Sequence, residues 1–549
     1  MHNKYLSPFK SLTILLVLIG MVLAACSPAA APTEYTTEQP STATEYTETE
    51  GEPYYLEELS SPTGEAMEES YAPSEPVAEQ PYATALPPIG QATPPPDNFF
   101  QDYGLNPYVD TYEDHLSTFA IDVDTASYSV ARRYVNDGLL PPADAVRPEE
   151  FINYFEQGYP TPPDVAFGIY ADGAPSPFAN DGTYILRIGI QGYEIPEWER
   201  KPASLTFVID VSGSMDRENR LELVKRSLQM LVDRLRPDDT VSIVVYGSEA
   251  RVVLNPTSGE DRATILDAIY SLHPEGSTNA EAGLRLGYQL AWNAFRGNAI
   301  NRVILCSDGV ANVGATGPDE ILESIRGYAD AGITLTSVGF GMGNFNDVLM
   351  EQLADNGDGH YAYMDTLDEA EKMFVEDMTG TLQIIARDAK VQIDFNTEVV
   401  ARYRLVGYEN RDVADQDFRN DTVDAGEIGA GHTVTALYAV QFRPNTTGRI
   451  GTVQLRWQNP DTFQIIEING NINTWDLVSS FDQASPYYQL AVVVAQYAEV
   501  LRNSYWVGDT TMNQLAAHAS RLASLLVGDE DVAEFAALVN RASAIAAVK

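Results

Sequence analysis

The chain has 549 residues, enough for several domains, and 44% of them are hydrophobic, enough for true cores. Lys and Arg number 34 against 79 Asp and Glu, a formal charge of −45. Such a surface repels phosphate backbones, which excludes nucleic acid as a partner class, and it draws divalent cations instead. The first 25 residues read as a targeting segment. Lys4 and Lys10 supply a positive region ahead of an apolar run from Leu12 to Leu23. That run falls short of the ~20 residues a membrane-spanning helix needs. It ends in Leu23-Ala24-Ala25-Cys26.

This ending resembles a bacterial lipobox. The resemblance implies cleavage before Cys26 and lipid on that residue, hence anchoring at the extracytoplasmic face of a cell membrane. Cys306, the other cysteine, lies in an apolar strand, so no disulfide framework is expected. Residues 26–115 are rich in Pro, Thr, Ser, Glu, Ala and Tyr and nearly free of positive charge. They read as a disordered acidic tether with a root-mean-square reach of roughly 50 Å, stretched further by proline and like charge.

Folded sequence is expected from Leu116. Residues 116–200 form an α+β flanking region expected to pack against the central domain. The stretch Ser117–Ser127 gives a strand and then polar residues, Tyr128–Asn136 reads as a helix, Pro148 as a second helix start, and Thr183–Gln191 as a half-buried strand. Asp122 and Asp124 lack an evident third ligand, and Asp124, Thr125 and Ser127 suit helix capping.

Residues 201–372 carry the organising pattern. Leu205, Phe207, Val208 and Ile209 make a short buried strand that ends in Asp210, Ser212 and Ser214, spaced D-x-S-x-S. Leu221, Val224, Leu228, Leu231 and Leu235 then follow helical spacing. Strands at 240–246, 251–254, 302–308, 333–339 and 359–364 alternate with helices at 262–272, 280–294, 320–331 and 347–354, with Leu284, Leu290 and Trp292 as core candidates. This is an α/β unit with a doubly wound, Rossmann-like, mainly parallel sheet, in which ligands bind beyond the carboxyl ends of strands. Asp308 ends a later strand, and Thr278 sits in a loop just before a helix. Two carboxylates and three hydroxyls, all hard oxygen donors, can therefore meet at one rim and suit a divalent cation.

Asp210-x-Ser212-x-Ser214, Thr278 and Ser307-Asp308-Gly309 resemble the metal-ion-dependent adhesion site of von Willebrand factor type A domains. The resemblance covers roughly 203–370. It implies that Asp210, Ser212, Ser214, Thr278 and Asp308 hold Mg2+ (or Mn2+ or Ca2+) and that a partner protein's carboxylate completes the shell. The alternative is a set of caps and turn residues in a domain that has lost its metal. Asp216 and Glu275 are expected to be solvated neighbours. Over its wider length, from Ile121–Tyr128, Leu139–Arg147 and Asp424–Tyr438, the chain resembles a bacterial subfamily of lipid-anchored proteins with such a domain. That implies a fixed three-part architecture; it implies no particular biochemical activity.

Beyond it, 367–385 reads as a helix. Residues 373–475 show several strand-type patterns that suggest a small β-sandwich, and the Gly426–Gly431 stretch reads as a turn. Residues 476–549 read as helical. The leading function is a membrane-anchored, cation-dependent protein-binding module of the bacterial envelope. A structural envelope scaffold with a merely stabilising metal is the alternative. A metal-assisted hydrolase is weaker, because none of the six histidines forms a helix-spaced pair or triad and His273 alone lies near Thr278.

Overall fold

The computed structural model describes residues 98–548, apart from 122, 164, 310–317, 344 and 424. By backbone contacts the chain divides into units Met1–Pro81 and Tyr82–Lys549. The targeting segment, Cys26 and the tether up to residue 97 lie outside the described residues.

In chain order, β1 (Val109–Asp110), β2 (Leu116–Ala120), α1 (Ala126–Asn136), α2 (Pro148–Asn153), β3 (Phe167–Pro175) and β4 (Tyr184–Gly192) come first. The central unit is β5 (Ala203–Asp210), α3 (Arg220–Arg234), β6 (Thr240–Tyr246), β7 (Ala250–Ser258), α4 (Arg262–Tyr270), α5 (Ala280–Asn293), β8 (Ile300–Ser307), α6 (Pro318–Asp330), β9 (Thr334–Phe340), α7 (Asp347–Asp355) and β10 (Tyr361–Met364). After it come α8 (Leu367–Glu371), α9 (Met378–Leu382), β11 (Ile384–Phe395), β12 (Val400–Val406), β13 (Gly426–Gly429), β14 (Thr433–Phe442), β15 (Arg449–Gln458), β16 (Ile465–Asn473), α10 (Pro486–Leu501), α11 (Met512–Leu525) and α12 (Glu530–Ala546).

The central sheet has the order β10-β9-β8-β5-β6-β7, parallel except for the antiparallel edge strand β7. Every residue of β5 is buried, as a strand covered on both faces requires. The doubly wound unit is thus as expected. Trp292 is not in its core: it is 55% exposed. The buried face of α5 runs through Leu284, Tyr288 and Ala291, and at 100° per residue Trp292 lies roughly 80° from Leu284.

Two five-stranded sheets, β1-β12-β14-β4-β3 and β13-β11-β15-β16 with β2 on β11, share one core that includes Phe119, Leu186, Ile188, Val391, Tyr438 and Leu455. The expected β-sandwich exists, but residues 116–200 are not a separate layer on the central unit. Strands β2, β3 and β4 complete the sandwich, so the doubly wound unit is an insertion between β4 and β11. Helices α1 and α2 pack mainly with α10, α11 and α12 in a helical core, while Ala126, Val130 and Tyr134 of α1 face the central unit.

Four further expectations are corrected. Residues 98–115 are folded: β1 pairs with β12, Thr111 Oγ1 donates to Val400 O at 2.6 Å, and Tyr108 lies edge-on to Trp506 at 5.0 Å. The 367–385 helix is interrupted: α8 runs into a wide π-helical turn over 372–376, Asp377 leaves helical geometry (φ −111°, ψ 25°), and the short α9 follows. Gly426–Gly429 is β13, paired with β11, and only Gly431 (φ +81°) turns the chain. Thr125 makes no capping hydrogen bond. Asp124 instead accepts from Tyr361 N at 2.8 Å, and Ser127 donates to Ala145 O at 2.7 Å.

Candidate metal centre

Sheet register builds the site. In the parallel pairing, Val208 lies opposite Val244 and Leu305, and Ile209 opposite Cys306. Strands β5 and β8 therefore end side by side, and Asp210 and Ser307-Asp308 leave the sheet at one rim. After Val211 the chain turns through Ser212 into a short 3-10 segment, Gly213–Asn219.

Asp210 is 0% exposed. Its Oδ1 accepts from Ser212 N at 2.7 Å and its Oδ2 from Ser307 Oγ at 3.0 Å. Ser214 Oγ donates to Asp308 Oδ1 at 3.0 Å. The Ser212 and Ser214 hydroxyls lie 2.9 Å apart and share a hydrogen bond. Burial pushes the Asp210 carboxyl up to about 6; the Ser212 hydrogen bonds act against this and the Asp308 charge adds to it.

The third loop is docked onto this turn. Glu275 N donates to Val211 O at 2.5 Å, and Gly213 N donates to Gly276 O at 3.2 Å. Gly276 has φ +73°, and a Cβ there would fall 2.4 Å from Ser248 Oγ, so the close approach requires glycine. Thr278 follows two residues later and is half-buried, just before Asn279, whose side chain caps α5 by accepting from Ala282 N at 3.1 Å. The structure thus links Asp210, Ser212, Ser214 and Asp308 by a run of hydrogen bonds and docks the loop that carries Thr278 on the same turn through Glu275 and Gly276.

The donor chemistry fits a hard divalent cation: carboxylates and hydroxyls only, around a buried carboxylate whose charge is poorly solvated. Among the described residues no group of three or more His, Cys, Asp or Glu side chains is placed to hold a metal. An ion here relies on the serine and threonine hydroxyls.

Two residues of the centre stand outside the expected ligand set. Ser307, part of the Ser307-Asp308-Gly309 motif, bonds Asp210 as above and holds that carboxylate. Arg220 is the larger omission. It is buried, and its Nη1 donates to Asp308 Oδ2 at 2.6 Å while Nη2 donates to Met342 O. It reads in sequence as a charge at the start of α3, with nothing to mark it as internal. Asp216 is exposed, and Glu275 pairs with Arg251 at 2.6 Å. His273 is solvent-facing, its Nδ1 3.1 Å from Ser271 O. Cys306 is buried, and burial pushes its thiol up to about 12.

Three family models match. The model described as "von Willebrand factor type A domain" covers residues 205–310, "von Willebrand factor" covers 95–187, and "Uncharacterized protein YfbK, C-terminal" covers 380–448 and 439–545. The Escherichia coli protein YfbK is 36% identical over 451 residues, spanning 77% of each chain. A Synechocystis protein, sll0103, is 27% identical over 51% of this chain and 67% of its own. Among solved structures, a von Willebrand factor type A protein from Catenulispora acidiphila superposes with a TM-score of 0.40 at 17% identity, over 69% of this chain and 89% of that one.

Proposed function

We propose a function from one premise: the chain belongs to the family of the Escherichia coli protein YfbK, and its central unit is a von Willebrand factor type A domain. Domains of this kind are typically protein-interaction modules. We infer that this one is a divalent-cation-dependent protein-binding module, lipid-anchored through Cys26 at the outer side of a bacterial cell membrane, and not an enzyme. Asp210, Ser212, Ser214, Thr278 and Asp308 would hold Mg2+, Mn2+ or Ca2+, and the bound ion would offer an open position to a carboxylate of the partner protein.

The observation that carries this reading is the hydrogen-bonded run from Ser212 through Ser214 to Asp308, which joins oxygens of two strand ends at one rim. The loop before α5 closes the third side. The residues around the rim favour capture over hydrolysis. His273 faces solvent and the Cys306 thiol is internal and hard to ionise, so neither is poised as base or nucleophile. The anchoring half rests on Leu23-Ala24-Ala25-Cys26 and the acidic Pro/Thr/Glu-rich spacer behind it.

The test is capture by the immobilised full chain from detergent-solubilised envelope in magnesium. The expected result is a retained protein that EDTA releases, that magnesium restores, and that Asp308→Ala does not retain. Retention unchanged by EDTA contradicts the reading.

A further inference from the structure

Arg220 is a fixed cation inside the candidate cation site. Its side chain is 4% exposed and that of Asp308 5%. Nη1 sits 2.6 Å from Asp308 Oδ2, the oxygen turned away from the serines, while Oδ1 takes the Ser214 proton. The guanidinium cannot swing aside freely. Nη2 is held by Met342 O, and the planar group passes over Gly341, where a Cβ would fall 2.2 Å from Nε. The flanking residues of that loop are in turn fastened by Asn98, whose Oδ1 accepts from Gly343 N at 2.8 Å and Phe345 N at 3.2 Å.

We propose that Arg220 is a built-in counter-cation of the site: it competes with the divalent ion for Asp308 and keeps cation affinity low. This rests on the metal-site reading above. Two effects act together. One carboxylate oxygen is committed to the guanidinium, so Asp308 can turn only Oδ1 toward an ion. A positive charge also stands within a few ångströms in a buried setting, where salt screens it little. The consequence reaches the partner. With a divalent ion bound, Asp210, Asp308 and Arg220 leave the site positive; Glu218, 3.8 Å from Arg220 Nη2 and half-exposed, offsets this only weakly through solvent, so an incoming carboxylate is attracted. Without Arg220 the loaded site is neutral. The arrangement trades grip on the metal for grip on the anion, and it ties occupancy to the ambient cation concentration.

The experiment is calorimetric titration of Mg2+ and Mn2+ into the full chain, in wild type and in Arg220→Gln, Arg220→Met and Arg220→Lys, each first checked for a cooperative metal-free melt. The Gln and Met variants are expected to bind the ion at least about tenfold more tightly, and Lys, which keeps the charge, to stay within about threefold of wild type. If Arg220 only props the fold, both charge-free variants bind as wild type or more weakly, and that overturns the proposal. If wild type itself binds neither ion, the metal-site reading falls and the proposal with it. If wild type binds and the variants match it, only the proposal falls.

Discussion

Asp210 owes its character to where β5 stops. One residue earlier the side chain is core; at Asp210 it is still fully enclosed but meets the amide of Ser212 and the hydroxyl of Ser307. A carboxylate in that setting is held by neutral dipoles and lacks a mobile counter-ion until a cation arrives. Asp210→Asn keeps the shape and removes the charge. It is expected to abolish cation binding while changing metal-free stability by less than about 1 kcal/mol. Asp210→Ala also strands the Ser212 and Ser307 donors and is expected to cost about 1–3 kcal/mol. Urea midpoints, measured beside a manganese titration, separate the two. The residues of the D-x-S-x-S turn and Asp308 were legible because a strand followed by a polar turn is a local pattern. Arg220 was not: only its partner 88 positions later makes a helix-start arginine internal.

At the scale of elements, α5 lies close on the sheet because two of its residues lack side chains. A Cβ on Gly287 would fall 2.3 Å from Val208 Cγ2, and one on Gly283 would fall 2.5 Å from the Tyr246 ring. Gly287→Ala is therefore expected to destabilise by about 1–3 kcal/mol. Combining it with Val208→Ala should recover part of the loss in a double-mutant cycle of urea midpoints. Additive losses would contradict this packing. The helix order and central strands were readable because each parallel strand is an apolar run beside its partner helix. What failed were judgements of facing and of Gly-rich sequence. Trp292 sits just off the stripe set by Leu284 and Tyr288. Gly426–Gly429 pairs as a strand with β11, some 40 positions earlier, which no local period records.

The whole molecule is interleaved rather than beaded. Strand β4 pairs with β14, Thr433 opposite Gln191, across the entire inserted unit. A reading in chain order therefore places β3 and β4 in a separate flanking region. Likewise 98–115 looks like spacer because its ordering contacts are remote: the Tyr108 ring lies under the Arg402 guanidinium and edge-on to Trp506. Buried ion pairs lock the parts together. Arg132 of α1 reaches Asp365 and Glu369 behind the central unit and Glu534 of α12. Glu499 of α10 takes Arg404 of β12 at 3.1 Å and Arg502 at 2.9 Å. Burial alone would raise the Glu499 carboxyl; the two guanidiniums outweigh it and hold it below its usual value. A folded-state pKa below the unfolded one gives stability that is present above the unfolded value and is lost as pH falls through the folded one. Glu499→Gln is thus expected to cost about 3–5 kcal/mol at pH 7, and the gap from wild type should narrow below about pH 4. A gap that is constant with pH contradicts the paired assignment. An acidic chain binds cations weakly at many places, so the rim of the inserted sheet has to stand out from that background. The direct measurement is manganese titration of the metal-free full chain, followed by the paramagnetic resonance of the free ion, in wild type and Asp308→Ala. One specific, saturable manganese per wild-type chain is expected, and it is missing from the variant. An equal number of saturable sites in both, or none in wild type, would contradict a metal site at this rim.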